Sequence, residues 1–361
     1  MGDAGEKVIM NTIPRQGIKS ILVIKLRNIG DVLLTTPAFK ALKETFPHAR
    51  ITAVVPAGTE EMLTLNPNID EIVTLKRGAG LKAEFEFIRR IRAGSYDIAI
   101  NMTEGDRGVI IALLSGARYR IGIDPRGKGF LGKKHLLTHL VRYISDGRHR
   151  AVMDLDILKP LGIECTNPEV QLFTSQEDDR YVDRLLKENG IGEGDRIAVL
   201  HPTSRWLFKC WKDEAVAEVI DYLDSRGFRV VLTSGPDKKE LERAGNILSL
   251  AKSSPLDLSG RLTLKRLAAL YKRSSLFFGV DTAPMHMAAA EGTPVIALFG
   301  PSDSDIWGPF TKKRIIISRK NEFSCVPCNK DGCGGSKKSR CLDEINTREA
   351  IAAIEMLIGK E

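Results

Sequence analysis

Residues 279–300, GVDTAPMHMAAAEGTPVIALFG, carry the reading that decides the fold. They run as a strand end, a polar turn, a helix of small residues and a second apolar strand. A strand that leaves through Asp281, Thr282, Ala283 and Pro284 into a helix gathers free backbone N–H groups at the turn. The positive end of the helix dipole lies there too, so the turn suits an anion, and a phosphate or diphosphate is the expected ligand. Met287, Ala288, Ala289 and Ala290 are mostly small, which lets the helix start lie close to a strand and leaves room for a bulky group. The same residues also read as an ordinary βαβ unit in which Asp281 or Thr282 only caps the helix.

Outward from this segment, strand and helix alternate almost throughout. Strands are expected at 21–25, 51–55, 71–75, 98–101 and 119–123, then at 197–200, 230–233, 276–280 and 295–299. Helices are expected at 31–46, 60–65, 83–91, 108–115 and 151–161, then at 212–226, 238–248, 264–273 and 347–358. This is the pattern of α/β domains with parallel sheets covered on both faces. The two series are separated by a polar stretch at 171–180, and 361 residues exceed what one core usually supports. The expectation is a loose tail over 1–17 and two doubly wound, Rossmann-like domains, 18–175 and 176–361, facing across a cleft. Ligands of such sheets bind beyond the carboxyl ends of the strands. The loops 27–31, 201–209, 233–237 and 281–286 all follow strands.

Composition fits a soluble globular protein, with 43% apolar and 28% charged residues. No apolar run is long enough to span a bilayer, and the N-terminus lacks the apolar core of a secretion signal. The net charge is +8, which suits a polyanionic partner: nucleic acid, anionic lipid or a phosphorylated glycan. Residues 117–150 concentrate it, with nine Lys and Arg against Asp124 and Asp146. Arg120, Arg126, Lys128, Lys133 and Lys134 of this run lie in or beside the Gly-rich loop 125–132. The run reads either as a mobile binding element or as a solvated face.

Two further loops carry candidate chemistry. In KLRNIGDVLLTTPAFKAL a strand ends in a turn with Asn28 and Gly30, and Asp31 opens the next helix. An acid there is stabilised as its anion and can accept a proton from an incoming hydroxyl; it can equally be a plain cap. A single glycine precedes Asp31, and no strand–helix turn shows the GxGxxG pattern, so a dinucleotide oxidoreductase is disfavoured. In HPTSRWLFKCWKDE, Thr203, Ser204, Arg205 and Lys209 surround a helix start. They suit a diphosphate, with Lys209 placed to stabilise a departing phosphate oxygen. The bland alternative is a surface loop with Trp206 and Trp211 in packing. Cys325, Cys328, Cys333 and Cys341 form C-x2-C-x4-C-x7-C, read as a small structural metal knuckle with zinc the first candidate. An iron–sulfur cluster or four reduced thiols are the other readings.

Four passages, taken together and in order, carry a resemblance: IKLRNIGDVLLTTPAFKALKETFP, HPTSRWLFKCWKDE, VVLTSGPDKKELE and GVDTAPMHMAAAEGTPVIALFGPSDSDIWGP. Over residues 20–361 the chain resembles glycosyltransferase family 9, the lipopolysaccharide heptosyltransferases, of the core heptosyltransferase III-like kind. The resemblance implies a GT-B fold and inverting transfer of heptose from ADP-heptose to a lipopolysaccharide inner-core sugar. It implies work at the cytoplasmic face of the inner membrane and no metal for the chemistry; no nucleic-acid partner is expected. By position, Asp31 matches the family's base and Lys209 the lysine on the donor phosphates. Asp281 and Thr282 match the diphosphate turn, continued by Ala283, Pro284, Met285 and His286. Many members carry Gly where Ala283 stands. Gly235, Asp237 and Glu240 match the nucleoside region, either acid being a candidate for the ribose hydroxyls. The basic residues of 117–150, with Asn28 and Gly30, fall in the acceptor-holding domain. The alternatives are transfer from another nucleotide sugar in cell-surface glycan synthesis, or a non-catalytic binder of glycolipid or nucleic acid.

Overall fold

The computed structural model describes residues 12–76, 78, 80–125, 129–130, 132–142 and 146–359. The chain divides into two compact units, Met1–Asp146 with Arg150–Val170, and Gln171–Glu361 with Gly147–His149. The short segment joins the second unit through His149, whose ring nitrogen lies 2.7 Å from the Gly308 carbonyl and whose ring packs on Phe310.

The first unit holds β1 (Ser20–Ile24), β2 (Arg50–Pro56), β3 (Glu71–Leu75), β4 (Ile98–Asn101), β5 (Tyr119–Ile123) and β6 (His139–Val141). All pair in parallel, in the order β3-β2-β1-β4-β5-β6. The second holds β7 (Ile197–His201), β8 (Arg229–Leu232), β9 (Leu256–Asp257), β10 (Leu276–Val280), β11 (Val295–Phe299) and β12 (Arg314–Ser318). Read from β9, its order is β9-β8-β7-β10-β11-β12, the same winding again. Each sheet therefore has a switch point, between β1 and β4 and between β7 and β10, where chain direction around the sheet reverses and a crevice opens. Gly279 allows the close approach at the second one: a Cβ there would lie 2.6 Å from the His201 carbonyl oxygen.

The central strands are apolar on both faces because helices cover both faces. In the second unit Leu200, Phe278 and Leu298 meet Trp211, Val216, Val219 and Ile220 of a covering helix region, while Ile354 of the last helix closes the same core. In the first, Leu22, Ile24 and Val54 pack with Ile111 and Ala112.

Several expected elements differ. The helix expected over 31–46 is two, Ile29–Leu33 and Thr36–Thr45. Thr35 and Thr36 turn their hydroxyls onto the Val32 and Leu33 carbonyls at 2.6 and 2.9 Å, and Pro37 has no N–H to continue the ladder. The helix expected over 60–65 shrinks to the 3-10 turn Glu60–Met62, followed by Leu65 in the left-handed region. The one over 151–161 is α-helical only to Leu155, then 3-10 to Leu161 with Pro160 inside. Strands β6, β9 and β12 and the helix Gln176–Glu188 were not expected. That helix starts within the polar stretch, behind a Ser175–Asp178 capping box, and buries only Val182 and Leu186. Residues 1–11 of the expected tail lie outside the described residues. Its remainder is anchored: Ile13 is buried and donates its N–H to the Pro160 carbonyl at 2.9 Å.

Candidate active site

In the first unit, β1 runs into a turn at its carboxyl end and then the short helix carrying Asp31. Asn28 occupies the N-cap position but makes no side-chain cap bond, and Gly30 is buried behind it. Asp31 is 9% exposed, and its Oδ1 has no hydrogen-bond partner. The other oxygen is 3.5 Å from the Asn28 amide, and Arg27 stands 3.9 Å from Oδ1 as an ion-pair neighbour. A carboxylate oxygen held out of water without a donor is poised to accept one.

Beneath it lies a buried charge group that sequence reading missed. Lys25, 1% exposed, donates to Asp154 at 2.6 Å, and Arg150 pairs with the other Asp154 oxygen at 2.8 Å. Burial pulls the Lys25 ammonium below its ordinary pKa; Asp154 opposes this most, and Asp31 adds in the same sense. Arg150 also reaches Glu104 at 3.7 Å, so the buried cations are shared between two carboxylates close to Asp31. A lysine at the end of an otherwise apolar strand was the available signal.

The basic run divides. Arg120 donates to the Leu136 and Ala117 carbonyls at 2.7 and 2.8 Å, tying β5 to its neighbouring turns. Lys133 is buried, donating to the Glu104 carbonyl at 2.8 Å and pairing with Asp106 at 2.9 Å. Lys134 faces solvent. Arg126 and Lys128 lie outside the described residues.

In the second unit, the loops after β7 and β10 flank the switch point. Lys209, on the 3-10 turn Leu207–Lys209, meets Asp281 at 2.5 Å. Asp281 leads into helix Ala283–Ala290, whose N-cap residue Thr282 makes no side-chain cap bond. Pro284 is in its first turn, and Met285 and His286 are buried. Ala283 is thus the first residue of the helix and does not prevent the turn from forming. His286 is buried with its Nδ1 unpartnered. Burial pushes its imidazole pKa down to about 4; Asp281 pulls the other way, and His149 and Lys209 add to the fall. A neutral ring with an open nitrogen results.

Next to this group, Thr203 is fully buried and donates to Glu240 at 2.8 Å. The same carboxylate lies 3.3 Å from the Gly235 N–H, and a Cβ on Gly235 would collide with it at 2.6 Å. Asp237 instead faces solvent and caps helix Lys238–Leu250 through the Lys239 N–H. Of the two candidate acids, Glu240 is the one turned into the loop cluster. Ser204 accepts from the Trp206 N–H at 3.2 Å, and Arg205 lies over the exposed Trp206 ring. Trp211 is core, with its indole N–H on the Ile345 carbonyl.

The cysteines Cys325, Cys328, Cys333 and Cys341 are free thiols. Among the described residues no three His, Cys, Asp or Glu side chains are disposed to hold a metal ion. Burial first, then Cys333 and Cys328, pushes the Cys341 thiol up to about 11.

Two successive units of Rossmann order, each with its chemistry-bearing residues on loops after the strands that border the switch point, are the architecture of GT-B glycosyltransferases. The chain belongs to glycosyltransferase family 9 (heptosyltransferase), whose family model matches residues 85–338. It is 34% identical over 339 residues to lipopolysaccharide heptosyltransferase 3 of Escherichia coli, covering 92% of this chain and 97% of that one. Among solved structures it matches a family 9 glycosyl transferase from Veillonella parvula with a TM-score of 0.82 and 26% identity, covering 95% and 98% of the two chains. The E. coli ADP-heptose lps heptosyltransferase II matches with a TM-score of 0.75 at 19% identity, over 94% and 99%.

Proposed function

We propose that the chain transfers heptose from ADP-heptose to a sugar of the lipopolysaccharide inner core, by a single inverting displacement. The observation that carries the reading is the Lys209–Asp281 pair beside the uncapped start of helix Ala283–Ala290. An ammonium, free helix N–H groups and the neutral His286 ring form a receptor for a diphosphate. The E. coli relatives named above, one of them an ADP-heptose enzyme, support the choice of sugar and nucleotide.

The steps follow from charge. Asp31 takes the proton of an acceptor hydroxyl; the freed oxygen bonds to the anomeric carbon of the heptose. The bond from that carbon to the diphosphate oxygen breaks, the electron pair leaves with ADP, and configuration inverts. The transition state has oxocarbenium character, so charge develops on the leaving phosphate as it departs. Lys209, released from Asp281, and the turn N–H groups of Thr282 and Ala283 neutralise it, the Met285 N–H being spent on the Thr282 carbonyl at 3.1 Å. Glu240, held by Thr203 beside Gly235, takes the ribose hydroxyls. Lys134 with Asn28, and by sequence Arg126 and Lys128, takes acidic groups of the acceptor, while Arg120 and Lys133 tie down the elements beside β5. The scheme uses protein groups alone and calls on no metal ion.

Calorimetric titration tests the donor site: ADP and ADP-heptose bind in preference to UDP, and Lys209→Ala weakens both by about tenfold or more. Equal affinity for UDP, or no effect of Lys209, contradicts the reading. We also propose that the cysteine segment closes around a structural zinc. Its C-x2-C-x4-C-x7-C spacing supports this. Metal analysis of the purified chain showing no zinc removes that part. We place the enzyme's work at the cytoplasmic face of the inner membrane, where its lipid-borne acceptor is made; no helix among the described residues is long and apolar enough to cross a membrane.

A further inference from the structure

The first unit carries an exposed apolar surface that the site above does not use. Leu81 is 90% exposed in the first turn of helix Gly80–Ala93, and Phe85, one turn on, is 68% exposed. That helix packs against helix Asp106–Leu114, and Arg107 clasps Glu84 at 2.7 Å to fix the pair. The second helix exposes Ile110 and Leu113, and Phe130, on the chain after β5, is exposed too. Cations interleave with these side chains. Lys82, Arg89 and Arg92 are exposed on the first helix and have no ion-pair partner among the described residues, and Lys134 is exposed after Phe130. Among the described residues the acids nearby are Glu86, exposed on the first helix, Glu84 held by Arg107, Asp106 paired with Lys133, and Glu104 just before the second helix.

We propose that these two helices and Phe130 form the face by which the chain docks on an anionic lipid bilayer. Apolar side chains standing clear of the surface, set among unpaired Lys and Arg, match the acyl boundary and the phosphate layer of such a membrane. A buried protein partner would suit a flatter, less charged patch. Position adds to the match. Both helices start where β3 and β4 end, and Phe130 follows β5, so the patch begins at the carboxyl edge of the sheet. Asp31 sits at that same edge, after β1. A bilayer against this edge presents a lipid-borne acceptor to Asp31, a consequence that rests on the proposed function.

The test is flotation of the full chain with vesicles of phosphatidylethanolamine and phosphatidylglycerol, and with phosphatidylcholine alone. The wild type floats with the anionic vesicles at low salt, less at high salt, and poorly with phosphatidylcholine. Leu81→Ser with Phe85→Ser lowers partition by about tenfold or more, while Leu250→Ser with Met356→Ser, exposed positions of the second unit, leaves it unchanged. Matched thermal melts confirm that all variants are folded. A wild type that stays soluble, a double variant that floats as well as wild type, or a double variant that instead dissociates an oligomer in sedimentation overturns the proposal. Heptose transfer to a delipidated core oligosaccharide is read separately. If it fails in wild type while the vesicle results hold, the catalytic reading falls and the docking face stands.

Discussion

At the scale of single residues, the candidate site is made by burial as much as by residue type. Asp31, Lys209 and Asp281 could be singled out as candidates from sequence because each follows the carboxyl end of a strand, where parallel sheets bind their ligands. Lys25, Asp154 and Arg150 were not, because a partner 129 positions away leaves no local pattern. The choice between Asp237 and Glu240 was equally closed to sequence: both follow the same turn, and only the fold shows one capping a helix and the other turned inward. The buried trio makes a prediction. Removing the carboxylate in Asp154→Ala takes from the buried Lys25 its 2.6 Å partner and from Arg150 the closer of its two, which costs about 3–5 kcal/mol of stability. Lys25→Met costs less, since it leaves Arg150 and Asp154 paired. Denaturant unfolding measures both; equal effects, or an Asp154→Ala change below about 1 kcal/mol, contradict the assignment.

At the scale of elements, the long apolar strands and amphipathic helices were plain from periodicity. Strands 71–75, 98–101, 119–123, 276–280 and 295–299 stand where the pattern put them. Most of the misses have a physical cause, though nothing of the kind hides the five-residue apolar strand β12. The two-residue β9 and three-residue β6 are too short to show a period, and the polar helix Gln176–Glu188 buries only two side chains. The split at Thr35 and Thr36 is a competition between hydroxyl and backbone that composition does not reveal. The junction of β7 and β10 is the element on which the donor loops depend. Gly279→Ala drives a methyl group against the His201 carbonyl. Overpacking of this kind costs about 1–3 kcal/mol and displaces the strand end that leads to Asp281. Thermal unfolding should fall and ADP affinity weaken together. A variant with unchanged melting and unchanged ADP binding shows that the approach is not as tight as described.

At the scale of the whole molecule, the two-series pattern foretold two units of repeated winding, and both sheets show it. Net charge was a poorer guide. The +8 pointed to a basic binding element, yet Arg120, Lys133 and Arg150 spend their charge on carbonyls and carboxylates inside the first unit. A sum over residues does not separate a surface field from internal pairing. The central claim concerns the molecule entire: that it moves a heptose, with Asp31 as base. Its most direct test is the mass of a core-truncated lipopolysaccharide after incubation with ADP-heptose, with wild type and Asp31→Asn compared at equal donor saturation. The account predicts a gain of a single heptosyl residue with wild type, and turnover lower by about 10²–10⁴ in the variant at unchanged donor affinity. No mass gain with wild type across inner-core acceptors, or wild-type turnover by Asp31→Asn, contradicts it.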